Sequence, residues 1–367
     1  MATPLRVAYT LEQCWHRVPG GTATSALELA RALVDRDDVD LIGVAAAHRN
    51  PPPAAFRPTV AVEHLRVPRR MLYELWHRTS WPAVTRATGP VDVVHGTGGA
   101  TPPRGATPLV VTVHDLAVLH HPDFFTTNGR LFLRAAIDTA RRRADVVVCP
   151  SQAVVDDCVA NGFDPDRTVR VAHGVDVVPV SAADADEVRR RYGLDDRFVL
   201  FVGTQEPRKN LSTLLAAMEQ LEESVPLVLA GPEGWGATTQ WPAAVDVRAV
   251  GFVPAGDLRA LYRAATVFCY PSLLEGFGLP VLEAMARSTP VVTSRGTATE
   301  ELVGDGGVLV DPKRADDVAA GLQRVLAHPD PVAQWGEAGA AIAATYTWAR
   351  AAEQTVGAYR RAIEVSS

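Results

Sequence analysis

Short apolar runs recur along this chain at intervals filled by helical periodicity, and that rhythm constrains the fold more than any other feature. The first half holds "LRVAYT", "VDLIGVAA", "VDVVHG", "PLVVTVHD", "DVVVCPS" and "VRVAHGV"; the second holds "FVLFVGT", "PLVLAG", "VRAVGFV", "VFCYPS", "PVVTS" and "GVLVDP". A strand that is apolar on both faces needs cover on both faces. Near-continuous Val/Leu/Ile runs alternating with helices therefore predict parallel sheets sandwiched by helices. Twelve such strands divide six and six, and 367 residues exceed what one core usually supports. The expected class is α/β, with two Rossmann-like parallel-sheet domains facing across a cleft. The break falls near residue 175, giving domains 1–175 and 176–346. Residues 347–367 read as a terminal helix with Thr347 as its cap and an apolar stripe of Trp348, Ala352, Val356, Tyr359 and Ile363. Ligands of open parallel sheets bind beyond the carboxyl ends of the strands, so function is expected in strand-end loops.

Charge narrows the class of function. Residues 1–175 carry 19 Arg against 17 Asp and Glu, whereas the remainder is acidic, for a net charge of −6 overall. A protein that binds nucleic acid generally would show a basic balance, so that class is set aside. The N-terminus "MATPLRVAYTLEQ" lacks the basic start and apolar stretch of a signal peptide, and no apolar run approaches a membrane span; a cytoplasmic protein is expected. Cys14, Cys149, Cys158 and Cys269 are scattered without metal-ligand spacing, which predicts buried free thiols. Of 36 basic residues only Lys209 and Lys313 are lysine, so a position that keeps a compact ammonium draws notice.

Four stretches carry chemistry. In "YPSLLEGFGLPVLEAMA" (270–286) a strand leads into a glycine-bearing turn, and Pro280 reads as the first residue of the following helix. Gly276, Phe277 and Gly278 then sit at a helix N-terminus, where backbone approaches a ligand closely and the dipole favours phosphate. Glu275 and Glu283 flank that turn; carboxylates beside a phosphate make sense if they meet neutral hydroxyls, and sugars supply hydroxyls. Dipole complement and a solvated loop residue are the plain alternatives for the two. In "FVGTQEPRKNLSTLL" the strand ends at Gly203, Asn210 is placed to cap the next helix, and Arg208 and Lys209 precede that cap, a pattern suited to pyrophosphate. In "RVPGGTATSALELARAL", Gly20 and Gly21 precede a helix from about Thr22. In "VVTVHD", His114 lies at a strand's carboxyl end, placed to meet a sugar or developing charge, or merely to bond nearby backbone. "GTGGAT" and "GPEGWG" both miss the dinucleotide fingerprint, so no nicotinamide cofactor is expected. The Asp-x-Asp triplets at 38–40, 164–166 and 184–186 read as solvated acids.

With these residues in hand, the chain resembles the retaining, group 1, family four glycosyltransferases of the GT-B fold, and among them bacterial polysaccharide mannosyltransferase-type enzymes. The resemblance runs through Gly20-Gly21, "VTVHD", "VGTQEPRKN", "GFV" with "LRALYRAA", and the two glutamates of "YPSLLEGFGLPVLEAMA". It implies a nucleotide-diphosphate sugar as donor substrate, with GDP-mannose one example, and a glycan or lipid-linked acceptor. Arg208 and Lys209 would hold the pyrophosphate, assisted by the Phe277-Gly278-Leu279 backbone. Glu275 would meet hydroxyls of the transferred sugar, Glu283 the ribose, Gly21 the donor from the first domain, and His114 the sugar near the reacting carbon. The first domain would take the acceptor and the second the donor, with the terminal helix returning to the first domain. No metal is expected, because the two cations and the helix dipole would take up the leaving charge. His173 stands where many relatives carry Asn and reads as a neutral linker change. A non-hydrolysing sugar-nucleotide epimerase and a non-catalytic sugar-nucleotide-binding partner remain open alternatives. The basic, aromatic segment 66–86 suggests either peripheral membrane contact or a core helix with a solvated basic face.

Overall fold

The computed structural model describes residues 3–232, 241–327 and 329–366; the glycine-bearing run from Glu233 to Gly236 lies outside them. The chain forms two compact units, Met1–Gly174 with Thr347–Ser367, and Val175–Tyr346.

The first unit carries seven parallel strands: β1 (Leu5–Thr10), β2 (Val39–Ala47), β3 (Val62–Pro68), β4 (Val93–Gly96), β5 (Leu109–Thr112), β6 (Val146–Cys149) and β7 (Thr168–Arg170). Their order is β3-β2-β1-β4-β5-β6-β7. Six of these were expected; β3 is an addition. Its sequence, VEHLRVP, buries only Leu65 and Val67, because an edge strand needs cover on one face alone and can carry charge on the other. β3 also takes up the start of segment 66–86, and the helix Arg69–Thr79 follows. That helix sends Leu72 and Trp76 into the core while Met71 stays exposed.

The second unit repeats the plan with β8 (Val199–Val202), β9 (Leu227–Ala230), β10 (Val247–Gly251), β11 (Val267–Tyr270), β12 (Val291–Ser294) and β13 (Val308–Val310). Their order, β10-β9-β8-β11-β12-β13, reverses direction between β8 and β11, just as the first sheet reverses between β1 and β4. Each reversal opens a crevice at the carboxyl ends of its two strands, which is where doubly wound sheets place ligands.

The terminal helix, Trp348–Ser366, belongs to the first unit and packs on the helix Gly20–Val34 and on β4, β5 and β6. Thr347 caps it, its hydroxyl accepting from the Arg350 amide at 3.1 Å. The stripe of Trp348, Ala352, Val356 and Tyr359 is buried. In the second half of the helix Tyr359 shares a hydrogen bond of 2.8 Å with Nδ1 of the fully buried His95, whose Nε2 meets Thr112 Oγ1 at 2.8 Å. At its start the chain passes so close to Gly174 that a Cβ there would lie 2.2 Å from the Trp348 nitrogen. All four cysteines are buried and unbridged.

Candidate active site

In the second unit the crevice between β8 and β11 gathers the cationic and acidic candidates. β8 ends against β9 through backbone alone: the Gly203 amide donates to Ala230 O at 2.9 Å, and a Cβ on Gly231 would sit 2.2 Å from the Gly203 carbonyl oxygen. The chain then makes a tight turn, Pro207–Lys209. Asn210 occupies the position before the helix Leu211–Met218, yet it does not cap it. Its backbone is left-handed (φ 59°), and its amide nitrogen donates to Pro271 O at 3.0 Å and Pro312 O at 2.6 Å. Its role is to tie the β8 loop to the loops after β11 and β13. A further backbone bond, Leu273 N to Arg208 O at 2.9 Å, fastens the first two of these loops.

That stitching brings Arg208, Lys209 and Glu275 together. Lys209 Nζ donates to Glu275 Oε1 at 2.7 Å and to Tyr270 Oη. Arg208 Nη1 stands 3.5 Å from Glu275 Oε2, and its Nη2 donates to Glu206 Oε1 at 2.8 Å. Burial pushes the Glu275 carboxyl upward, but the charges of Lys209 and Arg208 prevail and hold it below the usual carboxylate range. The site therefore presents an ionised carboxylate inside a cationic frame.

The following turn differs in detail from expectation. The helix runs Leu279–Met285, so Pro280 is its second residue, and Gly278 takes the capping position at φ 100°. Only glycine fits there, since a Cβ would lie 2.6 Å from Thr299 Cγ2. Phe277 is buried, its ring edge-on to Tyr346 at 6.0 Å. Glu283 lies half-buried on the helix, and its Oε2 accepts from Tyr262 Oη at 2.8 Å.

In the first unit the β1/β4 crevice holds the remaining candidates. His114 Nε2 lies 2.9 Å from Thr97 O, so that nitrogen carries the proton and Nδ1 is the acceptor. Burial pulls His114 below the ordinary histidine range, with its Thr97 bond and Asp115 opposing. Thr22, Gln13 and His114 all close on Gly98, whose added Cβ would meet them at 3.0–3.1 Å. Gly20 and Gly21 are exposed and open the helix Gly20–Val34 rather than preceding it. His173 is no bare linker position: its ring lies 5.6 Å from His114 and 5.9 Å from Trp348.

Sequence reading missed Tyr270, Tyr262 and Gln13. The two tyrosines look like strand and helix core, and Gln13 carries no motif; Gln13 Nε2 donates to Thr97 Oγ1 and Gly98 O, both at 3.0 Å. Among the described residues no group of three or more His, Cys, Asp or Glu is placed to hold a metal ion.

Comparison with known proteins matches both units. The family model "Glycosyl transferases group 1" covers residues 184–341, and "Glycosyltransferase Family 4" covers residues 19–179. The O-antigen chain mannosyltransferase B of Escherichia coli is 32% identical across 68% of this chain and 70% of its own length. The chain belongs to the family 4, group 1 glycosyltransferases. The glycosyltransferase is also 30% identical to D-inositol 3-phosphate glycosyltransferase 2 of Catenulispora acidiphila, across 94% of this chain and 91% of that one. Its fold matches crystal structures of Anabaena HepE in complex with UDP and glucose (TM-score 0.74, 21% identity, 96% and 98% of the two chains). It likewise matches the lipopolysaccharide glycosyltransferase WaaG (TM-score 0.73, 17% identity, 95% and 98%). The architecture is thus GT-B, and the enzyme is a hexosyltransferase.

Proposed function

We propose that this glycosyltransferase moves a hexose from a nucleoside-diphosphate sugar, GDP-mannose in the first instance, to a glycan or lipid-linked acceptor with retention of configuration. The observation that carries the reading is the convergence of Arg208, Lys209 and Glu275 at the β8/β11 crevice. Breaking the glycosyl–phosphate bond leaves negative charge on the diphosphate, and two fixed cations stabilise it as it develops. Glu275, ionised and facing those cations, accepts hydrogen bonds from hydroxyls of the transferred sugar. Glu283 receives the ribose hydroxyls, while Phe277, Gly278 and Leu279 shape the turn around the phosphates. In the first unit Gly21 admits the donor, and His114 meets the sugar near the reacting carbon. The acceptor oxygen bonds to that carbon on the face the diphosphate leaves, and the departing phosphate oxygen takes the acceptor's proton.

The relatives named as mannosyltransferases in Escherichia coli and Mycolicibacterium hassiacum favour mannose, and the HepE complex with UDP-glucose makes uridine the competing base. The first unit takes the acceptor on this reading. Its exposed Met71 and Trp81, among Arg66, Arg70 and Arg78, offer a basic, apolar face to a lipid-linked acceptor at an anionic membrane surface. The test is a thermal-shift panel of UDP, GDP, dTDP and ADP on the wild type and Arg208→Ala. One nucleotide should raise the melting temperature selectively, and the variant should lose that rise. No response to any of the four at millimolar concentration would overturn the donor-site assignment.

A further inference from the structure

Arg287 follows the helix Leu279–Met285 and is only 6% exposed. Its Nε and Nη1 have no hydrogen-bond partner among the described residues. A buried guanidinium without a bonded counter-charge is costly, so its place in the fold calls for a reason. The backbone around it is fixed on both sides. The Arg287 and Thr289 amides both donate to Ala284 O, at 3.0 and 3.1 Å, and Ser288 between them adopts the left-handed conformation (φ 54°) that ends a helix. Thr289 Oγ1 then donates to Tyr262 O at 2.6 Å. The same Tyr262 uses its hydroxyl to hold Glu283 Oε2. Glu283 on the helix and Arg287 in the turn that follows it are four residues apart, and Tyr262 ties the two stretches together through Glu283 and Thr289.

We infer that Arg287 is a positioning residue for Glu283, its charge acting across one helical turn to keep the carboxylate ready for the two hydroxyls of a ribose. The inference rests on the proposed reading of Glu283 as the ribose-binding residue of the donor site. Its logic is one of reach. An ion pair in direct contact would occupy the carboxylate oxygens, whereas a cation held one turn away favours the ionised form and leaves an oxygen for the ligand. An ionised carboxylate is purely an acceptor and offers charged oxygens to both hydroxyls of a diol; a protonated one turns one oxygen into a donor and accepts more weakly. Burial prevails at Glu283 and, with Asp176 adding to it, holds the carboxyl above its usual range, while Tyr262, Arg287 and Arg259 oppose the rise. Arg287 is thus one of the groups that limit how far burial favours the protonated form. For its part, Arg287 is lowered mainly by burial, with Glu283 the first charge opposing it.

The test is calorimetric titration of wild type, Arg287→Met, Arg287→Lys and Glu283→Gln with GDP, UDP and their 2′-deoxy counterparts. The wild type should prefer one ribonucleotide over its deoxy form by about tenfold, as expected for a hydrogen bond to a charged group. Arg287→Met should lose most of that ratio while its affinity for the deoxynucleotide holds, and Arg287→Lys should keep it. Adding Arg287→Met to Glu283→Gln should change nothing further. An undiminished ratio in Arg287→Met, or equal weakening of both nucleotides, overturns the inference. Should the methionine variant fail to fold, a folded Arg287→Lys that has lost the ratio overturns it as well. Absence of all nucleotide binding in the wild type instead removes the donor-site reading beneath it, which is a different result.

Discussion

Lys209 Nζ and Glu275 Oε1 lie 2.7 Å apart, from side chains 66 positions apart in sequence, and both residues are more than nine-tenths buried. Each therefore neutralises a charge that the fold could not otherwise hold. Removing one partner strands the other, so Lys209→Met and Glu275→Gln should each cost about 3–5 kcal/mol in urea unfolding, and the double variant less than either. Additive losses would show that the pair is not the unit of stability. For the same reason Arg208→Ala is the better probe of phosphate binding, since Arg208 is partly exposed.

Turnover should follow the cations. With the nucleotide sugar identified by the binding panel, Arg208→Ala is expected to lower kcat by about 10²–10³, the usual effect of losing one donor to a developing anion. Release of nucleoside diphosphate in a coupled assay measures it. A rise in KM with unchanged kcat would mean that Arg208 binds the ground state and the transition state alike.

Acid should weaken the first unit through its buried histidines. Burial, and secondarily His114, brings His95 down to about 3, and burial brings His173 to about 3. The unfolded chain takes up protons below about 6.5 while the native imidazoles refuse them, so stability is present above that pH and is lost as pH falls from about 6.5 toward about 3. Urea midpoints should agree at pH 8 and 7 and then fall steadily toward pH 4. A flat profile across pH 6.5–4 would contradict this assignment.

Gly174→Ala tests the close passage of the chain at the terminal helix. The new Cβ would stand 2.2 Å from the Trp348 nitrogen and 2.7 Å from its Cα, backbone that cannot swing aside, and a loss of at least about 1–3 kcal/mol is expected. Gly256→Ala is the internal control. It lies in the helix Ala255–Ala264 with nothing within 4 Å, and should raise stability by about 0.4–1 kcal/mol.

Membrane contact is checked by co-sedimentation with phosphatidylcholine vesicles, with and without phosphatidylglycerol. Binding only to the anionic vesicles, reduced in Trp81→Ala and in Arg70→Glu, is the expected outcome. Equal recovery with both vesicle types would leave the exposed Met71 and Trp81 without a lipid role.

What could be read from sequence followed from burial. β1, β5 or β8 needs apolar residues on both faces, and Val/Leu runs announce that directly; β3, covered on one face, hides its signal behind Glu63, His64 and Arg66. The candidate charges were legible by type and place, but their pairing was not. Arg208, Lys209 and Glu275 each look like groups awaiting a ligand, and only the β8/β11 adjacency reveals that they first satisfy one another. Asn210 illustrates a similar limit: its residue type fits a cap, but the left-handed backbone turns its amide toward two distant carbonyls. Arg287 passes for a solvated helix end until its burial is known.

The return of the last helix to the first unit sets an order of completion. A ribosome delivers the chain from its N-terminus, and His95 must wait for Tyr359, 264 residues later. Residues 175–346 have every strand of their sheet in hand before Trp348 is made. The unit begun first is therefore finished last. Throughout synthesis of the second unit, the strip of the first that will receive Trp348, Ala352, Val356 and Tyr359 stays uncovered, and a nascent chain halted near residue 346 would carry that apolar strip to whatever chaperone or neighbour reached it first.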